Sequence, residues 1–200
     1  MNFGEFGQMP QELHSLPGSL DISANRGERK WSRRELLGRA IWGMLHPLLF
    51  ACSPRLFWGW RRFLLRCFGA KVGANVHVHP SVRIAVPWNL EIGADSAVGD
   101  RAIIYNLGFV RIGQRVTISQ YAHLCGGTHD HTSRSMPLVK SPIAIDDEAW
   151  ICANAFVGPG VHVGSLAIVG AAAVVMQDVA PAAIVAGNPQ RVIGSRRPPE

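Results

Sequence analysis

The residues best suited to chemistry sit in one short run, Leu124-Cys125-Gly126-Gly127-Thr128-His129-Asp130-His131. An imidazole titrates near pH 6.5, so His129 is suited to take the proton of an alcohol at neutral pH. Asp130 is placed in sequence to orient that histidine or an acceptor hydroxyl, although adjacent side chains often point apart. Asn106 interrupts the apolar stretch Ile103-Ile104-Tyr105-Asn106-Leu107-Gly108 and is either a hydroxyl-binding amide or a turn-forming asparagine. His123 and His131 read as ordinary polar surface. The four cysteines, Cys52, Cys67, Cys125 and Cys152, form no CxxC pair and no zinc-like spacing, and read as reduced thiols of a cytoplasmic protein.

What must position these groups is a repeat. From residue 72 an aliphatic residue recurs every six positions: Val72, Val78 and Ile84, then Ile92, Val98 and Ile104, then Ile112, Ile118 and Leu124. After a gap the register resumes at Ile145, Ile151, Val157, Val163, Val169 and Val175. Glycine often follows at once, as at Gly93, Gly113 and Gly164, and a small or β-branched residue stands four places on, as at Ala102, Ala122, Ala155 and Ala173. Neither an α-helix nor a simple strand has a six-residue period, but a parallel β-helix does. Each hexad supplies one short strand and a turn, three hexads close a triangular coil, and stacked coils share one core. His129 takes the last place of its hexad, an outward-facing corner. The register then breaks over residues 130–144, a loop too long and too well placed to be decorative.

Ahead of the repeat, charge is unevenly divided. Residues 1–25 carry three acids and no bases, a net −3, whereas residues 26–71 carry eleven bases and two acids, a net +9. Residues 72–200 are neutral overall. Residues 1–29 are polar, without apolar period, and read as a mobile tail. Residues 30–70 read as a basic amphipathic helical segment: one apolar stripe runs from Leu36 to Leu49 with Pro47 kinking or ending it, and a second from Leu56 to Phe68 with Gly69 as its stop. An open solenoid needs such a cap over its first coil. The arginines, with Trp31, Trp42, Trp58 and Trp60, also suit a peripheral contact with anionic membrane. No groove-reading motif accompanies the charge, so nucleic acid is not expected. The first twenty-five residues lack a signal-peptide pattern, and the longest charge-free apolar run near the N-terminus, residues 40–54, is short of the roughly 20 residues a spanning helix needs.

The hexads, the mid-solenoid loop and Gly127-Thr128-His129-Asp130 resemble the hexapeptide-repeat O-acetyltransferases. The blocks 64–71, Pro87-Trp88-Asn89-Leu90-Glu91-Ile92-Gly93, Ala149-Trp150-Ile151 and Ala186-Gly187-Asn188-Pro189 are similar to the colanic-acid biosynthesis members. The resemblance runs from about residue 31 to 195. It implies an all-β fold, a left-handed parallel β-helix with an N-terminal helical cap (residues 71–200 being the acyltransferase domain), and a homotrimer with sites between adjacent prisms. It implies acetyl-CoA as co-substrate, a saccharide acceptor in exopolysaccharide synthesis, and no metal. It places the general base at His129, acceptor binding at Asn106 and Asp130, and coenzyme A binding at Ala153 (through its backbone N–H), Gly170, Ala171 and Arg191. Location is expected to be cytoplasmic, at the inner face of the membrane if the basic helices dock there. Two alternatives stay open: a non-catalytic trimeric scaffold, and a metal hydratase of the γ-carbonic-anhydrase kind, for which His77, His79, His123, His129 and His131 are raw material without that family's ligand spacing.

Overall fold

The computed structural model describes residues 20–197. They fall into two compact units: Lys30 and the described residues before it together with His129–Leu138, and residues 31–128 with the described residues from 139 on.

The larger unit is the expected prism. Its first face stacks the strands Lys71–Val72, Leu90–Ile92, Val110–Ile112, Ile143–Ile145 and His162–Val163, all parallel. The second runs from His77–Val78 through Ala97–Val98, Thr117–Ile118, Trp150–Ile151 and Ile168–Val169 to Ala183–Ala186, where Arg191–Ser195 adds an antiparallel edge. The third stacks Arg83–Ile84, Ile103–Tyr105, His123–Cys125, Phe156–Val157 and Val174–Val175. All fifteen hexad aliphatics are buried, and so are the small residues Ala102, Ala122, Ala149, Ala155, Ala167 and Ala173 that fit between them. Glycine follows a strand for a steric reason. A Cβ on Gly93 would lie 2.5 Å from the carbonyl carbon of Gly113 in the next coil, closer than any side chain tolerates.

Two helices cover the first coil: α2, Arg33–Leu45, closed at its start by a Ser32–Glu35 capping box, and α3, Trp58–Cys67 (α1 belongs to the smaller unit). Pro47 falls within a π turn, His46–Ala51, that ends α2, and Gly69 is left-handed at φ 85° just past α3. The arginines of α3 are mostly anchors. Arg61 is fully buried, with Nε donating to Val78 O at 2.6 Å and the guanidinium donating to Ser53 Oγ, Pro54 O and Arg55 O. Arg62 donates to Val76 O, and Arg66 to Val72 O and Gly73 O, so three cations satisfy carbonyls along the open first coil. Trp42 is buried with its indole N–H on Ile84 O at 2.7 Å, and Trp58 is stacked on His77. These tryptophans and Arg61 are therefore corrected from membrane candidates to cap residues. Outward the cap presents the exposed apolar side chains of Leu36, Leu37, Met44, Leu48, Phe57 and Phe63 together with exposed Arg33, Arg34 and Arg55.

In the smaller unit, α1 spans Ile22–Gly27, within the stretch read as tail; residues 1–19 lie outside the described residues. The excursion from the coil is also longer at its start than its sequence suggested. Gly126 N donates to Tyr105 O and Gly126 O accepts from Gly108 N and Ser141 N, which closes the stem. Gly127–His129 is the outgoing strand and Leu138–Lys140 the returning one, while Ile143 and Ala144 already belong to the first face.

Burial holds the imidazoles of His46, His79 and His123 below their ordinary value, by desolvation in each case. Folding therefore disfavours their protonation, and the stability tied to their neutral forms is present above about pH 6.5 and lost as pH falls below it. The melting temperature is expected to hold level above about pH 7 and to drop between pH 6.5 and 5, before carboxylates titrate. A level or rising curve through that window contradicts this.

Candidate active site

His129 lies exposed on the outgoing strand, beyond the point where the ladder hands the chain out of the prism. Its Nδ1 is 2.6 Å from the carbonyl oxygen of Met136 across the same loop. A carbonyl can only accept, so Nδ1 carries the hydrogen, and in the neutral ring Nε2 keeps its lone pair. That is the tautomer a general base requires. Asp130 does not orient this ring. Its Oδ1 accepts from the backbone N–H of Thr132 at 2.9 Å and from Thr132 Oγ1 at 2.6 Å, and these bonds hold its carboxyl below the usual carboxylate range. Asp130 N in turn donates to Pro137 O at 3.0 Å. The aspartate shapes the loop that carries the histidine.

Asn106, expected to bind the acceptor, lies inside the fold. It is fully buried; Oδ1 accepts from Val86 N at 3.0 Å and Nδ2 donates to Val86 O at 2.6 Å. The side chain imitates a neighbouring strand where the third face gives way to the Pro87–Asn89 turn, and both its ends are taken. A polar residue among aliphatics carried the signal, but the same signal fits a substrate and an interior backbone partner equally.

The coenzyme-binding expectations have mixed geometry. Ala153 sits at a corner after the Trp150–Ile151 strand; its carbonyl accepts from Ala172 N, and its N–H has no acceptor among the described residues. Ala171 is exposed at the equivalent corner one coil on. Gly170 is explained by the fold, since a Cβ there would lie 2.9 Å from Val185 O. Arg191 is exposed at the start of the antiparallel edge strand, beside a cavity of about 280 Å³ lined by Met176, Asn188 and Gln190.

The remaining titratable groups do less. Cys152 is half-buried and its thiol is pushed up by desolvation, and the Cys125 thiol faces Gly127 O at 3.4 Å, so neither is a poised nucleophile. His123, read as surface, is half-buried edge-on to Phe156, its Nε2 without a hydrogen-bond partner among the described residues. Among the described residues no three of His, Cys, Asp and Glu are grouped to hold a metal ion.

A three-faced prism of hexads, interrupted once to present a histidine of fixed tautomer, is the form of a hexapeptide-repeat acyltransferase. No family model matches the chain. Over 156 residues it is 41% identical to the "Putative colanic acid biosynthesis acetyltransferase WcaF" of Escherichia coli, covering 78% of this chain and 86% of that one. It is 29% identical over 136 residues to the galactoside O-acetyltransferase of the same organism, 66% of this chain and 67% of the other. A crystal structure of a hexapeptide-repeat acetyltransferase from Vibrio cholerae, complexed with acetyl coenzyme A, superposes with a TM-score of 0.76 at 26% identity, over 86% of this chain and 96% of that one. The chain belongs to the WcaF-type family of hexapeptide-repeat acetyltransferases, and its coil is the left-handed β-helix of that class.

If Asn106 serves the fold, Asn106→Leu leaves the Val86 N–H and C=O unpaired in the interior, costing about 1–3 kcal/mol for each group. Denaturant unfolding is expected to show that loss, with specific activity of the folded fraction unchanged. A stable variant with a raised acceptor KM would return Asn106 to the site.

Proposed function

We propose that this enzyme transfers the acetyl group of acetyl-CoA to a hydroxyl of a saccharide, in the synthesis of an exopolysaccharide. Its relation to WcaF and to the galactoside enzyme supports the substrate class, and the acetyl-CoA complex of the Vibrio relative supports the donor. The observation that carries the reading is the His129 Nδ1–H bond to Met136 O, because it leaves Nε2 as the base.

In the proposed reaction His129 Nε2 takes the proton of the acceptor hydroxyl as that oxygen attacks the thioester carbon. The carbonyl oxygen gains charge, and the N–H of Ala153, which has no acceptor among the described residues, is the donor suited to meet it. The C–S bond then breaks and the thiolate takes the proton from the imidazolium, giving the O-acetyl ester and the free thiol. No acyl-enzyme forms, in keeping with the inert surroundings of Cys125 and Cys152. Small residues at Ala171 and Gly170 keep the prism corner low enough for a pantetheine arm, and Arg191 offers a cation to nucleotide phosphates.

We further propose that the protein works as a homotrimer, its sites completed between neighbouring prisms, and that the helical cap rests on an anionic membrane surface. Support for the membrane contact is the uncovered apolar face of the cap. Leu48, Leu49, Phe57, Trp60 and Phe63 line a groove of about 670 Å³ in a segment of net charge +9. No helix among the described residues is long and apolar enough to cross a membrane. An acceptor presented at the inner membrane surface would then meet the enzyme there.

His129→Ala is expected to lower turnover about 10²–10⁴-fold while the protein stays folded and acetyl-CoA still binds; near-normal turnover contradicts the assignment. Full-length protein is expected to co-sediment with vesicles containing phosphatidylglycerol, less so in high salt, and Phe57→Ser/Phe63→Ser to abolish this. Self-association of the wild type that those substitutions remove, without vesicle binding, would instead assign the face to a second copy of the chain.

A further inference from the structure

The loop that carries His129 is not alone in its unit. The smaller unit also contains α1, six residues long with none buried, too short to hold its own conformation in water. What it gains comes from bonds to the loop. Asp21 caps the helix, its Oδ1 accepting from Ala24 N at 3.0 Å, while Asp21 N donates to Arg134 O at 2.8 Å. One turn later Asn25 Nδ2 donates to Ser135 O at 2.7 Å and to Met136 O at 2.5 Å. Met136 O is the same oxygen that accepts from His129 Nδ1.

Three features make this more than a contact between surface segments. Both lone pairs of the Met136 carbonyl are engaged, one by Asn25 and one by His129, so the peptide is held from two directions. Met136 itself is left-handed, at φ 44°, a turn conformation it shares with ten other non-glycine residues among the described residues, and here it aims the carbonyl at both donors. The amide of Asn25 can point only one way, because Lys30 Nζ, which can only donate, lies 2.6 Å from its Oδ1. Lys30 orients the amide, the amide holds the carbonyl, and the carbonyl sets the imidazole.

We propose that Asn25 is a positioning residue for His129, acting through the Met136 carbonyl, so that the segment Asp21–Lys30 is part of the catalytic apparatus. The inference rests on the reading of His129 as the base. Without the Asn25 donor the Met136–Pro137 peptide loses one of the two bonds on its carbonyl and turns more easily, the imidazole loses its fixed acceptor, and the proton moves between the two ring nitrogens. The alcohol then meets a base that carries its lone pair on the wrong atom for part of the time, and in the wrong place for the rest.

Two variants of the full chain test this. Asn25→Asp keeps the shape and the Lys30 partner but replaces the donor with an acceptor that repels both carbonyls; Asn25→Ala removes the group. The first readout is the long-range ¹H–¹⁵N spectrum of the imidazoles at pH 8, with the His129 signals assigned by their absence in His129→Gln. Wild type is expected to show Nδ1 protonated and Nε2 bare, and both variants to shift toward a mixture of tautomers. The second is turnover of acetyl-CoA with a saccharide mixture prepared from the producing cells, expected to fall about 10–100-fold in kcat with the KM for acetyl-CoA within twofold. Unchanged tautomer and unchanged kcat in folded Asn25→Asp would overturn the proposal. Should His129→Ala remain active while the tautomer shifts in Asn25→Asp, the base assignment fails and the Asn25 contact stands as structural.

Discussion

Everything in this molecule depends on fitting one aliphatic side chain and one small side chain per hexad into a prism too narrow for anything larger. Each coil places three aliphatics inward at Val, Ile or Leu, and each is buried against its equivalents above and below. Burying such a side chain is worth about 1.5–3 kcal/mol, and the sum over fifteen hexads is what fixes the register. Slipping a strand by one residue would turn its aliphatic outward and bring a polar neighbour in. The glycines express the same constraint along the axis, where the backbone of one coil lies against the next. A scaffold this strict has no freedom to bend toward a substrate. Chemistry is left to what the scaffold expels, and the Gly127–Lys140 excursion is its one long departure.

The ends of the stack pose the complementary problem of satisfying backbone groups with no further coil beyond them. At the start, Arg61, Arg62 and Arg66 donate to carbonyls of the first coil while α3 shields it from water. At the finish, Arg191–Ser195 pairs antiparallel with the last strand of the second face. A fully buried guanidinium without a carboxylate is costly, and desolvation lowers its pKa accordingly. Four hydrogen-bond acceptors around Arg61 offset that cost. The cap therefore has inner cations tied to the solenoid and an outer surface where uncovered apolar side chains stand beside exposed Arg33, Arg34 and Arg55, and the second is what suggests a surface outside the molecule.

The prism was legible in the sequence because a six-residue period has no other structural meaning, and Pro47 and Gly69 marked the cap's turns by their own conformational limits. His129 was legible as the residue at which the period fails. What the sequence hid follows from partners that no spacing reveals. Arg61 and Trp42 have the types of membrane-surface residues, yet both are turned inward onto carbonyls. Asn106 and Asp130 have the types of substrate ligands, yet each is taken up by backbone at short range, Val86 for one and Thr132 for the other. Helix α1 escaped notice because its six residues have no apolar period; Asn25 and Met136 lie 111 positions apart, and only the folded loop brings them together.

The central claim is that this prism and its loop form an acetyl-CoA enzyme, and the most direct measurement needs no acceptor. Calorimetric titration of the purified protein with acetyl-CoA, beside truncated analogues lacking the nucleotide, is expected to show saturable binding near one molecule per chain, retained in His129→Ala and weakened in Arg191→Ala. A folded protein that takes up no acetyl-CoA at any accessible concentration would contradict the account and leave the solenoid a scaffold.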